Sequence, residues 1–120
     1  MKLATAAVVV HENKTLIAQR MKDGLWEFPG GKIDPGETPV QCVTREMKEE
    51  LNIDIRIERA MGVVEGTYRG IPMKVYAFEA AWIGGTMIKH VHKDIKWVER
   101  KDLDQYPLVE EDKVILKQFL

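Results

Sequence analysis

The chain has 120 residues, a net charge of −1, one cysteine and a hydrophobic fraction of 45%. That length makes one domain, residues 1–120, whose core buries about two-thirds of the surface the unfolded chain exposes, and leaves no room for a second. Basic residues are spread along the chain, which argues against a polymeric nucleic-acid footprint, and no run of about 18 apolar residues could span a membrane. Cys42 has no partner for an internal disulfide, and Met1 to Val10 is too short and too polar at its ends for a signal peptide, so a cytoplasmic protein is expected.

Leu3 to Val10, rich in valine and alanine, reads as a strand, and a turn at His11 to Lys14 leads to a second strand from Thr15 to Arg20. Trp26 to Phe28 is a short extended piece ended by Pro29, Gly30 and Gly31, where two glycines let the backbone come close to a ligand. A helix starts at Pro39, because Thr38 supplies an N-cap hydroxyl, Pro39 suits the first helical position and Gln41 completes a capping box. Val40, Val43, Met47 and Leu51 recur at helical spacing, which predicts a stripe buried against a sheet, and Asn52 ends the helix in the left-handed conformation. Ile53, Ile55 and Ile57 alternate with Asp54, Arg56 and Glu58, the period of a half-buried strand that continues towards Tyr68. Arg69 and Gly70 turn the chain into a strand from Met73 to Ile83. Gly84 and Gly85 break that strand before a looser stretch at His90 to Lys93 and a short strand from Ile95 to Val98. Asp102 to Tyr106 reads as a helical turn, and Glu110 to Leu120 as a helix docked through Val114, Ile115, Leu116 and Phe119. Strands interleaved with two helices predict an α/β fold with a mixed central sheet sandwiched between helices.

Chemistry concentrates between Gly31 and Ile53. Glu46, Glu49 and Glu50 stand at i, i+3 and i+4, so a helix projects their carboxylates from one face, one turn apart. Like charges that close repel, and hard oxygen donors on one face suit Mg2+ or Mn2+, which bind substrate phosphates alongside protein carboxylates. The alternative on these residues alone is a solvated acidic face.

Gly31, Glu37, Arg45, Glu46, Met47, Glu49, Glu50 and Ile53 fall in the register G-x5-E-x7-R-E-U-x-E-E-x-G-U, with U an aliphatic residue, and so the segment resembles the Nudix box. Asn52 stands where the family has its last glycine, at a small expected cost in stability. The upstream Leu16 to Arg20, the run Leu25 to Lys32 and the downstream Tyr106 to Asp112 look like the MutT-type branch, closest to its bacterial CTP pyrophosphohydrolases, which act on modified pyrimidine and oxidised purine nucleotides. The resemblance implies the Nudix fold, an α/β/α sandwich. It also implies Mg2+-dependent hydrolysis of a nucleoside triphosphate to the monophosphate and pyrophosphate, by a monomer or homodimer whose partner is a small nucleotide. It assigns Glu49 and Glu50 as metal ligands, Glu46 as ligand and general base, the Gly30 carbonyl as a further ligand, and Gly31, Glu37 and Arg45 as support.

Substrate contacts are expected from Arg20, Phe28, Lys32, Tyr68 and Asp112. The Arg20 guanidinium can take two phosphate oxygens at once, against an exposed strand-end arginine as the alternative. Asp112 matches the position where MutT-type enzymes place an Asn or Asp that reads the base edge, and helix N-terminal charge is its other reading. Phe28 and Tyr68 could stack on a base, while Trp26, Trp82 and Trp97 are expected in the core and Cys42 packs as a small residue. Val91 is a departure, since relatives often carry there a glutamate that adds a ligand or base. Either His90 or His92 substitutes for it, or the box suffices, or activity is weak; an H-x-H pair also suits zinc, but no cysteine lies nearby in sequence and both histidines are expected on the surface. Two further readings stand beside the triphosphate hydrolase, a dinucleoside polyphosphate or nucleotide-sugar hydrolase and a non-catalytic nucleotide-binding domain.

Overall fold

The computed structural model describes residues 1–120. Six strands, β1 (Lys2–His11), β2 (Lys14–Arg20), β3 (Trp26–Glu27), β4 (Asp54–Tyr68), β5 (Ile71–Gly84) and β6 (His92–Glu99), form one sheet with two helices, α1 (Pro39–Leu51) and α2 (Glu110–Phe119), and a 3-10 turn at Arg100–Gln105. β1 pairs with β5 in parallel, and every other pairing is antiparallel, so the sheet is mixed. β1 is buried on both faces, which explains its unbroken apolar run. Ala7 and Val9 face a cluster built on Val43, Met47 and Leu51 of α1, while Ala4, Ala6 and Val8 face one that includes Ile115 of α2. The α/β/α sandwich expected from the sequence is therefore present.

Local signals placed α1 at its observed bounds. The Thr38 hydroxyl accepts from Gln41 N–H, the Gln41 side chain accepts from Thr38 N–H, and Asn52 closes the helix at φ 57°. Four expectations need correction. Val40 is 45% exposed, because the buried side of α1 turns through Cys42 instead. Trp82 and Trp97 are half-buried and stack on each other at 6.1 Å, with His11 against both, so only Trp26 is a full core residue. β6 begins at His92 and not at Ile95, since Gln19 and Arg20 of β2 pair with Asp94 and His92. His92 is consequently buried and not a surface residue.

Beyond the turn that joins them, β1 and β2 part. Only Val10 and His11 pair across to Thr15 and Lys14, and further along β2 the vacated edge at Ala18 and Gln19 is taken by β3. The chain then crosses to β1, where Ala7 N–H donates to Pro29 O at 2.7 Å and Thr5 N–H to Gly31 O at 2.9 Å. This split in the sheet is where the site forms.

Candidate active site

Pro29 and Gly31 spend their carbonyls on β1, and the Gly30 carbonyl between them has no hydrogen-bond partner in the chain. Both glycines are required by close approach. A Cβ on Gly30 would lie 2.0 Å from the Thr5 carbonyl oxygen, and one on Gly31 would lie 2.4 Å from the Glu46 carboxylate carbon. Gly31 thus lets the Glu46 carboxylate lie against the loop.

Arg45 organises the carboxylates around it. Its guanidinium binds both oxygens of Glu37 at 2.6 and 3.0 Å, Glu46 Oε1 at 2.9 Å, Glu49 Oε2 at 3.0 Å and the Lys32 carbonyl at 3.2 Å. Glu37 also accepts from Asp34 N–H, and these bonds, Arg45 first, hold its carboxyl down at about 2. Helix, loop and carboxylates are joined in one unit, with one oxygen of Glu46 and one of Glu49 left outside the Arg45 bonds.

Glu50 lies on the inner side of the same face. Its side chain is 15% exposed, and its Oε1 is buried with no hydrogen-bond partner. Burial, followed by the negative charges of Glu27 and Glu46, pushes its carboxyl up to about 9. Glu27 from β3 and His92 from β6 stand beside it, their ligand atoms all within 4.8 Å of one another. His92 is brought there by the end of α1, because Ile88 N–H donates to the Leu51 carbonyl and His90 N–H to that of Glu50, so the segment before β6 caps the helix. An orphaned buried oxygen among crowded carboxylates is the arrangement a divalent cation would relieve, and Glu46, Glu49 and Glu50 with the free Gly30 carbonyl offer it hard oxygen donors.

Next to this edge opens a cleft of about 290 Å3, whose lining includes Arg20, Lys22, Glu27, Phe28, Arg69 and Asp112. Arg20 sits at the junction, with Nε 3.2 Å from Asp23 and Nη1 3.9 Å from Glu27. Asp112, 3% exposed, takes Phe28 N–H on Oδ2 at 2.8 Å. Burial pushes its carboxyl well above the usual carboxylate range, with Glu27 and Glu111 adding to the effect against that bond. Phe28 belongs to the core and presents only part of its surface to the cleft. Lys32 is exposed and Tyr68 packs beside Gly66, and neither lines the cleft.

The sequence reading put His92 on the surface, and it missed Glu27 and the Arg69–Glu111 ion pair that walls the cleft. Glu27 did carry a signal, as the only charge between the apolar Trp26 and Phe28. The Arg69–Glu111 pair joins residues 42 apart and carried none.

The NUDIX domain family matches residues 1–119. The CTP pyrophosphohydrolase of Escherichia coli K12 is 32% identical over 119 residues, covering 96% of this chain and 88% of that protein. The 8-oxo-dGTP diphosphatase of Proteus vulgaris is 48% identical over 60 residues, covering 45% of this chain and 54% of that one. The solution structure of the E. coli ORF135 protein superposes with a TM-score of 0.88 at 31% identity, covering 99% of this chain and 88% of the other. The box geometry and these matches agree, and the chain belongs to the Nudix family as a hydrolase of nucleotide phosphoanhydride bonds.

Proposed function

We propose that this chain is a Mg2+-dependent nucleoside triphosphate pyrophosphohydrolase of the cytoplasm, releasing a monophosphate and pyrophosphate from modified or oxidised nucleotides of the CTP-like or 8-oxo-dGTP-like class. The observation that carries it is the adjacency of two unlike surfaces. A cleft sized for one nucleobase ends in a buried polar group, Asp112, and opens directly onto the carboxylate edge. The relatives named for CTP and 8-oxo-dGTP support the substrate class.

Glu46, Glu49, Glu50 and the Gly30 carbonyl would hold the cation, which when bound neutralises charge on the phosphates and lowers the pKa of an attacking water. Arg20, which lines the cleft, would take phosphate oxygens. Glu46 keeps one oxygen outside its bond to Arg45 and serves as the general base, with Arg45 fixing its direction. Asp112 spends Oδ2 on Phe28 N–H and would use Oδ1 to accept from an exocyclic amino or ring N–H group of the base.

The test is pyrophosphate release from a panel of canonical and modified triphosphates, diadenosine tetraphosphate and ADP-ribose, with Mg2+ and with EDTA. Pyrophosphate from one or a few modified triphosphates, abolished by EDTA and by Glu49→Gln, is the expected outcome. Turnover confined to the dinucleotide or the sugar nucleotide would overturn the proposal.

A further inference from the structure

Glu27 stands where the two halves of the site meet. With Arg20 and Lys22 it lines the cleft, and with the same two residues it lines a second recess shared with Glu50, Val91 and His92. Its carboxylate is divided between two partners. Oε2 lies 2.8 Å from His92 Nε2, and Oε1 lies 3.9 Å from Arg20 Nη1.

A carboxylate oxygen only accepts, so His92 carries a proton on Nε2 and donates it to Glu27. Its Nδ1 is buried and meets no partner. That pattern is the reverse of a metal-bound imidazole, which ligates through one nitrogen and donates the proton on the other to a neighbour. Ligation through Nε2 would leave a bare N–H on Nδ1 inside the protein. The ring, only 3% exposed, therefore makes a single hydrogen bond, to the Glu27 carboxylate, with Glu50 Oε1 further off at 3.9 Å.

We infer that His92 is a positioning residue that holds Glu27 beside Glu50, so that Glu27 contributes a further carboxylate to the divalent-cation site. This rests on the reading that the box glutamates bind such a cation. The other side chain that engages this carboxylate is Arg20, whose Nη1 lies 3.9 Å from Oε1. Without His92 the Glu27–Arg20 contact closes. The cation site then loses a donor, and Arg20 is masked from phosphate.

The test is a Mn2+ titration of the full chain, reading free ion by electron paramagnetic resonance, with thermal unfolding of each variant in EDTA. Glu50→Gln reports on the underlying reading, and unchanged Mn2+ affinity there overturns both. With Glu50→Gln weakened, Glu27→Gln is expected to bind Mn2+ about tenfold more weakly. Unchanged affinity in Glu27→Gln overturns this inference alone. His92→Gln retains an N–H donor and is expected to bind Mn2+ as the parent does. His92→Leu keeps the volume without the donor and is expected to match Glu27→Gln, with no further loss in the double variant. Equal affinities in His92→Gln and His92→Leu would reduce His92 to a packing residue.

Discussion

Gly30 and Gly31 are adjacent and both tightly packed, yet alanine should fail at each for a different reason. At Gly31 the added Cβ would meet the Glu46 carboxylate, 2.4 Å from its carbon and 2.6 and 2.7 Å from its oxygens. Ordinary contact requires about 3.5 Å, so the carboxylate must retreat by about 1 Å. It is the mobile end of a long side chain and can do so, so the stability cost should stay below about 1 kcal/mol. The retreat breaks the 2.9 Å bond to Arg45 Nη1 and moves a reacting group, and a misplacement of about 1 Å can cost on the order of 100-fold in rate. At Gly30 the Cβ would fall 2.0 Å from the Thr5 carbonyl oxygen and 3.0 Å from the Ala6 Cα, both backbone of the central strand. Overpacking against backbone costs about 3 kcal/mol, which in a chain of this size lowers the thermal midpoint by roughly 10 °C. Calorimetry in EDTA with steady-state kinetics in Mg2+ separates the two. Gly31→Ala should melt with the parent and turn over about 100-fold more slowly, while Gly30→Ala should melt well below it. A fully active Gly31→Ala, or a Gly30→Ala of parental stability, would refute this account of the loop.

Glu37, held at about 2 by Arg45, ionises more readily folded than unfolded, so its contribution to stability is present above about pH 4.5 and lost as pH falls towards 2. Urea midpoints of Glu37→Gln should lie below the parent's at pH 6 and converge with them near pH 2, and a gap independent of pH would contradict the ion-pair assignment. Glu50 has the opposite sign. With its carboxyl raised to about 9, the metal-free protein should lose stability as pH rises from about 4.5 towards 9, and Glu50→Gln should abolish that slope. Mg2+ should therefore raise the melting temperature more at pH 8 than at pH 5, and equal shifts would argue that Glu50 is not a ligand. Val91→Glu places a carboxylate in the recess lined by Glu27, Glu50 and His92, and it should tighten Mn2+ binding measured calorimetrically. Asp112→Ala strands the buried Phe28 N–H at about 1–3 kcal/mol and should raise KM for the preferred base, whereas Asp112→Asn keeps an acceptor and should melt close to the parent.

The elements of this fold were legible where short-range chemistry decides them. The capping box and the left-handed Asn52 fix both ends of α1 from within a few residues, and the alternation of Ile53, Ile55 and Ile57 survives in the burial of β4. Periodicity failed at Val40, where Cys42 is buried in its place, because spacing says which residues share a face but not which flank of that face the sheet covers. It failed again at His92. A polar run with no apolar alternation looks like loop, yet Arg20 of β2 supplies a backbone partner that extends β6 by three residues.

The site divides in the same way. Its box half lies on one helix and the loop before it, so the register of Gly31, Glu37, Arg45, Glu46, Glu49 and Glu50 in sequence is already their arrangement in space. The other half is assembled by the sheet. Glu27 and His92 are 65 residues apart, and they meet because β3 and β6 are both neighbours of β2 while the capping of α1 by Ile88 and His90 pulls the start of β6 towards Glu50. That cap couples the two halves. The carbonyl of Glu50 accepts from His90 on one side of the chain while its carboxylate faces His92 on the other, so loosening the 85–91 segment should displace His92 and the Glu27 it holds without touching Glu46 or Arg45. Gly85 anchors the segment, since a Cβ there would lie 2.3 Å from the Asn52 carbonyl oxygen, and it also sits at φ 80°. Gly85→Ala is thus expected to weaken Mn2+ binding while preserving the Glu37–Arg45 contribution to acid stability. Loss of both together would mean that the two halves of the site are one rigid unit.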